Sequence, residues 1–469
     1  MLAITGATII DGNGGEPIRD GVIVIQDGRI VRLGARSTPV PVQARRISAD
    51  EKYVIPGLLD ANVHLLIDFF SGPHTLLRYA GRYADLIIEA AQVALKAGVT
   101  TVFDTHGPRE DLVRARNAIN SGAVSGSRIY LGGNIVGLGG PFSSDMAGLF
   151  GGGDLPESIA SKINASWEEN VGPDLLWMSP QQVRQEIREY ARKEIDFLKF
   201  ALTTHTGRMQ HLMFSPRVTR AIIEEARSAG LTVQTHTTTN EGLHLAIESG
   251  VDLMQHVDLN FGPCPILDDT IALMAELRVP GAILPQTARA LSWCRANARK
   301  TPSLEHYDTM DRNVRALLNA NVVVLLSTDA GVYSADTLGS SRRKTYVPPE
   351  EGLRQLGEGH FNWLLAVEQK GMKPMDALMA ATRNIARAYK VDRDIGTLEE
   401  GKLADLVILD RNPLENAANY RTISLVMKEG VIVDRAVLPN PKLLTQDEAD
   451  GPEAQRPFAP TDARVTCCG

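Results

Sequence analysis

Between residues 56 and 395, apolar runs of strand length alternate with amphipathic runs of helical length, and this alternation is the strongest constraint on the fold. A helical run from Arg78 to Lys96 stops at Gly98 and gives way to the strand-like Val99-Thr100-Thr101-Val102-Phe103-Asp104. Ser179-Pro180-Gln181-Gln182 has the form of a helix start, with Ser as N-cap, Pro at the first helical position and Gln at the third. The strand Asp196 to Phe200 follows, then a helix opened by Ser215-Pro216 and stopped at Gly230. Beyond it come the strand Leu231 to His236, a helix from Glu241, the strand Asp252 to Val257 and, later, Val322 to Asp329. Repeated strand–helix units predict a parallel sheet, and the chain is long enough for a (β/α)8 TIM barrel over residues 56–395.

The two ends read differently. Ala7 to Ile10, Gly21 to Ile25 and Arg29 to Leu33 are short β-like runs, punctuated by Asp11-Gly12, Gly14-Gly15 and Asp27-Gly28 as turns. Similar text returns in Ala404 to Leu409 and Val426 to Val433. Neither end holds enough strands for a stable sheet alone, so residues 1–55 and 396–440 are predicted to share one small β-sandwich domain. Residues 441–469 read as a polar, extended tail. Two insertions interrupt the barrel rhythm: the Gly-rich Gly137 to Pro156, and the polar, basic Tyr333 to Glu358. Long loops of this kind serve as functional lids or are disordered.

Composition excludes several partners. Of 469 residues 43% are hydrophobic and the net charge is −7, with no sustained Lys/Arg run, so there is no electrostatic footprint for nucleic acid or an anionic membrane. The first residues lack the pattern of a secretory signal, and apolar runs such as Val322 to Leu326 are far too short to span a bilayer. Cys264, Cys294, Cys467 and Cys468 suggest no disulfide framework, which favours a reducing cytoplasmic location. Thr466 stands where a prenylation signal needs Cys, so Cys467-Cys468-Gly469 is read as part of the tail.

Six residues lie at or near the C-terminal ends of the predicted strands, the face on which barrel enzymes build their sites: Asn62, His64, Lys199, His236, His256 and Asp329. Any one alone reads as an ordinary packed residue. Asn62 and His64 are two apart in an extended strand and project to the same side, where an amide oxygen and an imidazole can converge. Imidazole and carboxylate suit Zn²⁺ and similar ions. His106 and His205 follow strands and are candidates for substrate contact, with ordinary loop roles equally open. His74, His211, His244, His306 and His360 are assigned surface or packing roles, and Asp104 a capping role. Gly139-Gly140 and Gly151-Gly152-Gly153 do not make a dinucleotide fingerprint.

Taken together these stretches resemble the amidohydrolase superfamily over nearly the whole chain. Pro56 to His64 matches its first-strand motif except that Asn62 replaces a histidine. Lys199, His236, His256 and Ser327-Thr328-Asp329-Ala330-Gly331 match the fourth, fifth, sixth and eighth strand motifs. Ala381 to Ala386 and Ile395 to Val407 follow its C-terminal signature. The Asn-X-His variant resembles the phenylurea hydrolases, which cleave herbicides of the diuron type.

That resemblance implies a divalent-metal hydrolase, with Zn²⁺ as the expected ion and one or two ions per chain. Asn62, His64 and Asp329 would hold one ion and His236 and His256 a second, with Lys199, carboxylated on its amine, bridging them. It further implies a metal-bridging hydroxide as nucleophile and Asp329 as the proton carrier to the departing amine, giving an aniline and a carbamate. An amide oxygen is a weaker donor than imidazole, so the ion beside Asn62 is expected to bind more loosely. A mononuclear site, with Asn62 only hydrogen-bonding, is the alternative. Other expectations from the resemblance are a small-molecule substrate and a homo-oligomer. Alternative substrates are dipeptides, as for prolidases, or N-acyl amino acids. These need a cationic clamp, for which Arg208, Arg289, Arg295 and Arg342 are candidates that the sequence does not separate. A non-catalytic descendant of the fold is disfavoured by retention of His64, Lys199, His236, His256 and Asp329.

Overall fold

The computed structural model describes residues 1–66, 74–146, 155–204, 210–259, 264–297, 306–333 and 354–446. The N-terminal strands are β1 (Leu2–Ile9), β2 (Ile18–Gln26), β3 (Arg29–Gly34), β4 (Arg45–Ser48) and β5 (Tyr53–Pro56). The central strands are β6 (Leu58–Val63), β7 (Val99–Asp104), β8 (Arg128–Leu131), β9 (Phe197–Ala201), β10 (Thr232–His236), β11 (Leu253–Gln255), β12 (Gly281–Ile283) and β13 (Val324–Leu326). Three more close the described chain: β14 (Leu406–Leu409), β15 (Ile423–Lys428) and β16 (Val431–Ile432).

The central strands make two parallel sheets, β6-β7-β8 and β9 to β13 in sequential order. Single bridges stand at both seams: Val63 with Ala330, and Val136 with Phe200. Around the first, Asp329 N donates to Asn62 O (2.9 Å) and His64 N to Ala330 O (2.8 Å). With helices between successive strands, this is a mixed α/β fold of the TIM-barrel type. Strand residues are buried on both faces, as parallel sheets flanked by helices require.

Local sequence explains the helices. Ser179 caps Pro180–Ala191 through the expected reciprocal box, its Oγ accepting from Gln182 N and Gln182 Oε1 accepting from Ser179 N (2.9 Å). Ser215 caps Pro216–Ser228 with its side chain alone, its Oγ accepting from Val218 N. The helix expected from Arg78 begins only at Tyr83. Gly81 adopts φ +82° and breaks the run, leaving His74–Arg78 as a separate turn of helix. Gly98, at φ +88°, ends that helix as expected.

The terminal strands join in one sheet, where two packed sheets were expected. The order is β16-β15-β14-β5-β1-β2-β3, with β4 also on β1. The cause lies in β1: Leu2 to Thr5 pair with β4 and Thr8 to Ile9 with β5, so one edge serves two partners across a register shift. Ile4, Ile9, Ile23, Ile25, Ile30, Val54, Leu406, Ile408 and Met427 pack together as a core separate from the larger one around the central strands. Arg128 on β8 ties the two regions, reaching Asp405 (2.6 Å) and Glu429 (2.5 Å).

Two stretches read as loose are packed. In the Gly-rich insertion, Gly140 N donates to Glu168 Oε1 (2.9 Å) and Phe142 N to Asn164 Oδ1 (2.8 Å); Gly151 to Gly153 lie outside the described residues. At the start of the tail, buried Glu89 accepts from Leu444 N (2.8 Å), Thr445 N (3.0 Å) and Thr445 Oγ1 (2.6 Å). Leu438 and Leu444 bury their side chains, so the chain is strapped down to residue 446. Among the described residues no helix is long and apolar enough to cross a membrane.

Candidate active site

All six strand-end candidates are buried at one end of the parallel strands. Asn62 lies within β6 and His64 just beyond it; Lys199 lies in β9, His236 ends β10, His256 follows β11 and Asp329 follows β13. Asp329 (φ +50°) and His256 (φ +30°) hold left-handed backbone, a conformation costing on the order of 1–3 kcal/mol for a non-glycine residue. Both turn the chain sharply at a strand end.

One group centres on Asp329. Its Oδ1 accepts from Asn62 Nδ2 (3.1 Å) and lies 3.0 Å from His64 Nε2. Burial alone would raise this carboxyl, but the His64 hydrogen bond and the positive charge around it hold Asp329 far below the usual carboxylate range. Burial pulls the His64 imidazole down, so the pair is best described as neutral His64 donating to ionised Asp329. A second group is His236 with His256, Nδ1 to Nε2 at 3.0 Å. Lys199 is tied to the first group: its Nζ donates to Thr105 Oγ1 (3.1 Å), and Thr105 Oγ1 donates to Asn62 Oδ1. Burial lowers the Lys199 amine to about 8, against the opposing pull of Asp329 and Asp104.

A supporting layer fixes these positions. Asp60 accepts from Thr328 N (3.1 Å), Thr328 Oγ1 (2.5 Å) and Asn62 N (3.3 Å), locking β6 to the Asp329 turn. Burial pushes its carboxyl up to about 7, although those donors pull it down. Asp104 does more than cap its own segment: it accepts from Leu65 N (2.7 Å) and His106 N (3.2 Å), fixing the chain after His64.

His106 lies beside the site, with its ring 6.2 Å from that of His64 and 5.1 Å from that of Trp167. His205 lies outside the described residues, as do Arg208 and Arg342. Among the remaining histidines, His360 is buried, with Nε2 3.1 Å from Ala97 O, in keeping with its packing role. Sequence reasoning missed Thr105, Asp60 and Arg354. Asp60 sits inside the Pro56 to His64 motif and was open to notice; Thr105 looks like any strand threonine.

The donor set fits a divalent ion. Among the described residues no three His, Cys, Asp or Glu side chains form a ligand cluster by themselves. Hydrogen bonds run from Asp329 through Asn62 and Thr105 to Lys199, so a site here needs the amide oxygen and the lysine as well. Asn62 Oδ1 keeps a second lone pair beyond the one Thr105 uses.

Residues 53–433 match the amidohydrolase family, and the chain belongs to it. It is a hydrolase acting on C–N bonds, in a family that generally uses divalent metals. The fold is close to that of molinate hydrolase, with 36% identity, 98% of this chain and 99% of that one covered and a TM-score of 0.89. Phenylurea hydrolase B is similar to the same degree: 35% identity, 95% and 99% coverage, TM-score 0.88. Ochratoxinase of Aspergillus niger is 24% identical over 443 residues, spanning 89% of this chain and 82% of that protein.

Proposed function

We propose that this chain hydrolyses the C–N bond of N-aryl ureas of the diuron type, releasing an aniline and a carbamate. The observation that carries the reading is the 35% identity to phenylurea hydrolase B over 95% of the chain, together with Asn62 at the first-strand position. In this reading residues 56–395 form a closed eight-stranded catalytic barrel, and residues 1–55 and 396–440 the supporting β-domain.

The residues that would hold metal, with Zn²⁺ the expected ion, are Asn62, His64, His236, His256, Asp329 and a carboxylated Lys199. A divalent ion bound there would polarise the scissile carbonyl and acidify water near neutral pH. In this reading Asp329, fixed by Asn62 and His64, takes a proton from water and passes it to the departing nitrogen. Neutral His64 keeps its hydrogen on Asp329 and holds that carboxylate in place. Asp60 and Asp104 hold the two chain turns that carry these groups. His106 packs edge-on between the rings of His64 and Trp167, buried beside the site.

The equal likeness to molinate hydrolase makes molinate the second substrate to test. Protein prepared with Zn²⁺ and bicarbonate is expected to release 3,4-dichloroaniline from diuron, and Asp329→Ala to abolish the release. Turnover of molinate without any aniline release would transfer the assignment to that substrate. If neither is turned over, both substrate readings fail.

A further inference from the structure

Beneath the strand-end residues lies a buried polar cluster that no motif marks: Gln234 on β10, Gln255 on β11 and Tyr389. Tyr389 follows the helix Arg383–Ala388, which packs on β6 and β13, and falls between the two stretches of C-terminal signature. Its ring is fixed by aromatic neighbours, stacked on Phe103 with centroids 3.7 Å apart and edge-on to Phe197 at 5.2 Å. Its Oη lies 2.7 Å from Ala61 O and 3.1 Å from Gln234 Oε1, so its one hydrogen serves the nearer, Ala61 O. The two hydrogens of Gln255 Nε2 then go to Tyr389 Oη (3.0 Å) and Gln234 Oε1, with Ala61 O also 3.0 Å away. One hydroxyl thereby ties β6, β10 and β11 together. The tie meets β6 where its pairing is irregular: Asp60 pairs with Val102 and Val63 with Asp104, so β6 carries one residue more than β7 in this interval. A bulge of this kind re-aims the side chains on it, and here it carries Asn62.

We propose that Tyr389 is a positioning residue for the metal site, its hydroxyl fixing Asn62 relative to His236 and His256 from beneath. The inference rests on the reading of those three residues as metal ligands. Each contact of the cluster sits one or two residues before one of them: Ala61 before Asn62, Gln234 before His236 and Gln255 before His256. His256 holds left-handed backbone at φ +30°, so the conformation at this strand end depends on what anchors Gln255 beside it. Without the hydroxyl, Gln255 becomes the remaining side-chain donor of the cluster to Ala61 O and must turn its amide away from the arrangement that serves Gln234. The aromatic packing of the ring is untouched by that loss, which separates positioning from packing.

The test loads the full chain with Co²⁺, whose visible absorption reports coordination geometry, and measures retention of the ion against a chelator. Tyr389→Phe is compared with Tyr190→Phe, a matched control. Tyr190 is also buried, and its Oη donates to Gly132 O (3.1 Å) and accepts from Asn134 N (2.9 Å), beyond β8, which carries none of the expected ligands. Both variants should melt at a lower temperature than the wild type. Tyr389→Phe alone should change the Co²⁺ absorption bands and weaken retention by about 10-fold, the scale of a lost partner behind a ligand. Tyr190→Phe should leave bands and retention at their wild-type values. Wild-type bands and retention in Tyr389→Phe would overturn the proposal and leave the residue a packing role. Equal losses in both variants would also overturn it, since they would reflect general destabilisation. If Tyr389→Phe does not fold, Gln234→Met removes the acceptor shared by Tyr389 and Gln255, and the same two readouts decide. A wild-type chain that takes up no Co²⁺ would instead sink the reading of the ligands, and the proposal with it.

Discussion

The two halves of the site are built on opposite plans. Around Asp329, a carboxylate, an amide and an imidazole are already joined by hydrogen bonds, backed by Asp60 and faced by Arg354. Around His236 and His256 there is no carboxylate in the expected ligand set, only two imidazoles in mutual contact and the buried Lys199 amine. The first half is prepared for positive charge; the second is short of negative charge. Two divalent ions sharing a single carboxylate would leave the second poorly neutralised in a low-dielectric interior. A carboxylated Lys199 would correct this imbalance with one anion placed between the halves, and its amine is poised for it because burial has already lowered its proton affinity.

The largest effect should come from removing the only carboxylate in that set. Asp329→Asn preserves shape but loses charge and proton transfer, and kcat should fall by about 10³- to 10⁴-fold. Metal content measured on the same preparation separates the two losses. A variant that keeps more than a tenth of the activity would show that the two halves are not divided as described.

Next is Lys199. Its replacement by Ala should reduce metal content in the His236–His256 half and lower activity by at least about 100-fold. Added acetate should restore part of it by supplying an anion in the vacated space. The pH dependence has a defined sign. Carboxylation needs the neutral amine, so at fixed dissolved CO2 the carbamate should increase as the pH rises through about 8 and be lost as it falls below. Carbon-13 NMR of protein equilibrated with labelled bicarbonate reads this directly. A carbamate signal absent across that range would leave the second half without its anion and favour a mononuclear site.

This asymmetry was only partly legible in the sequence. The strand ends carrying His64, His236 and His256 could be read because apolar runs and turn residues fix where each strand stops. The capping box at Ser179 was legible for the same local reason. What escaped depends on contacts between distant segments. Thr105 is a β-branched residue at a strand end, and only its position between Lys199 and Asn62 gives it a role. Arg354 lies in a polar insertion with other arginines and is singled out only by its reach to Asp329. The single terminal sheet escaped because β1 divides one edge between two partners, which no periodicity records. The strap on Glu89 escaped because a Pro-rich, polar stretch carries no sign of the buried carboxylate that will accept its backbone N–H groups.

A smaller change should sharpen the comparison. Asn62→His replaces a neutral amide oxygen with a better nitrogen donor, so the Asp329 half should hold its ion about 10-fold more tightly. Competition with a chelator, read by metal retained, measures this without reference to turnover. Equal or weaker affinity in Asn62→His would mean that Asn62 does not act as a ligand in the native chain.

The least disruptive test cuts the link between Lys199 and Asn62 and leaves both residues in place. Thr105 receives a hydrogen bond from Lys199 and gives one to Asn62, so it aligns the lysine and the amide at once. Thr105→Val keeps volume and branching while removing the hydroxyl. Two effects follow with different signs. Lys199 loses its one side-chain acceptor, which costs stability of about 1–3 kcal/mol in the unmodified chain because a buried donor is left unsatisfied. Asn62 Oδ1 loses a competing donor, which frees that oxygen for an ion. Metal affinity in the Asp329 half should therefore change by less than about 10-fold, while the metal-free protein melts at a lower temperature. Carbamate formation should recover most of the lost stability, since carboxylated Lys199 no longer presents an ammonium to Thr105. A Thr105→Val protein as stable without metal as the wild type would mean that Lys199 and Asn62 are positioned independently.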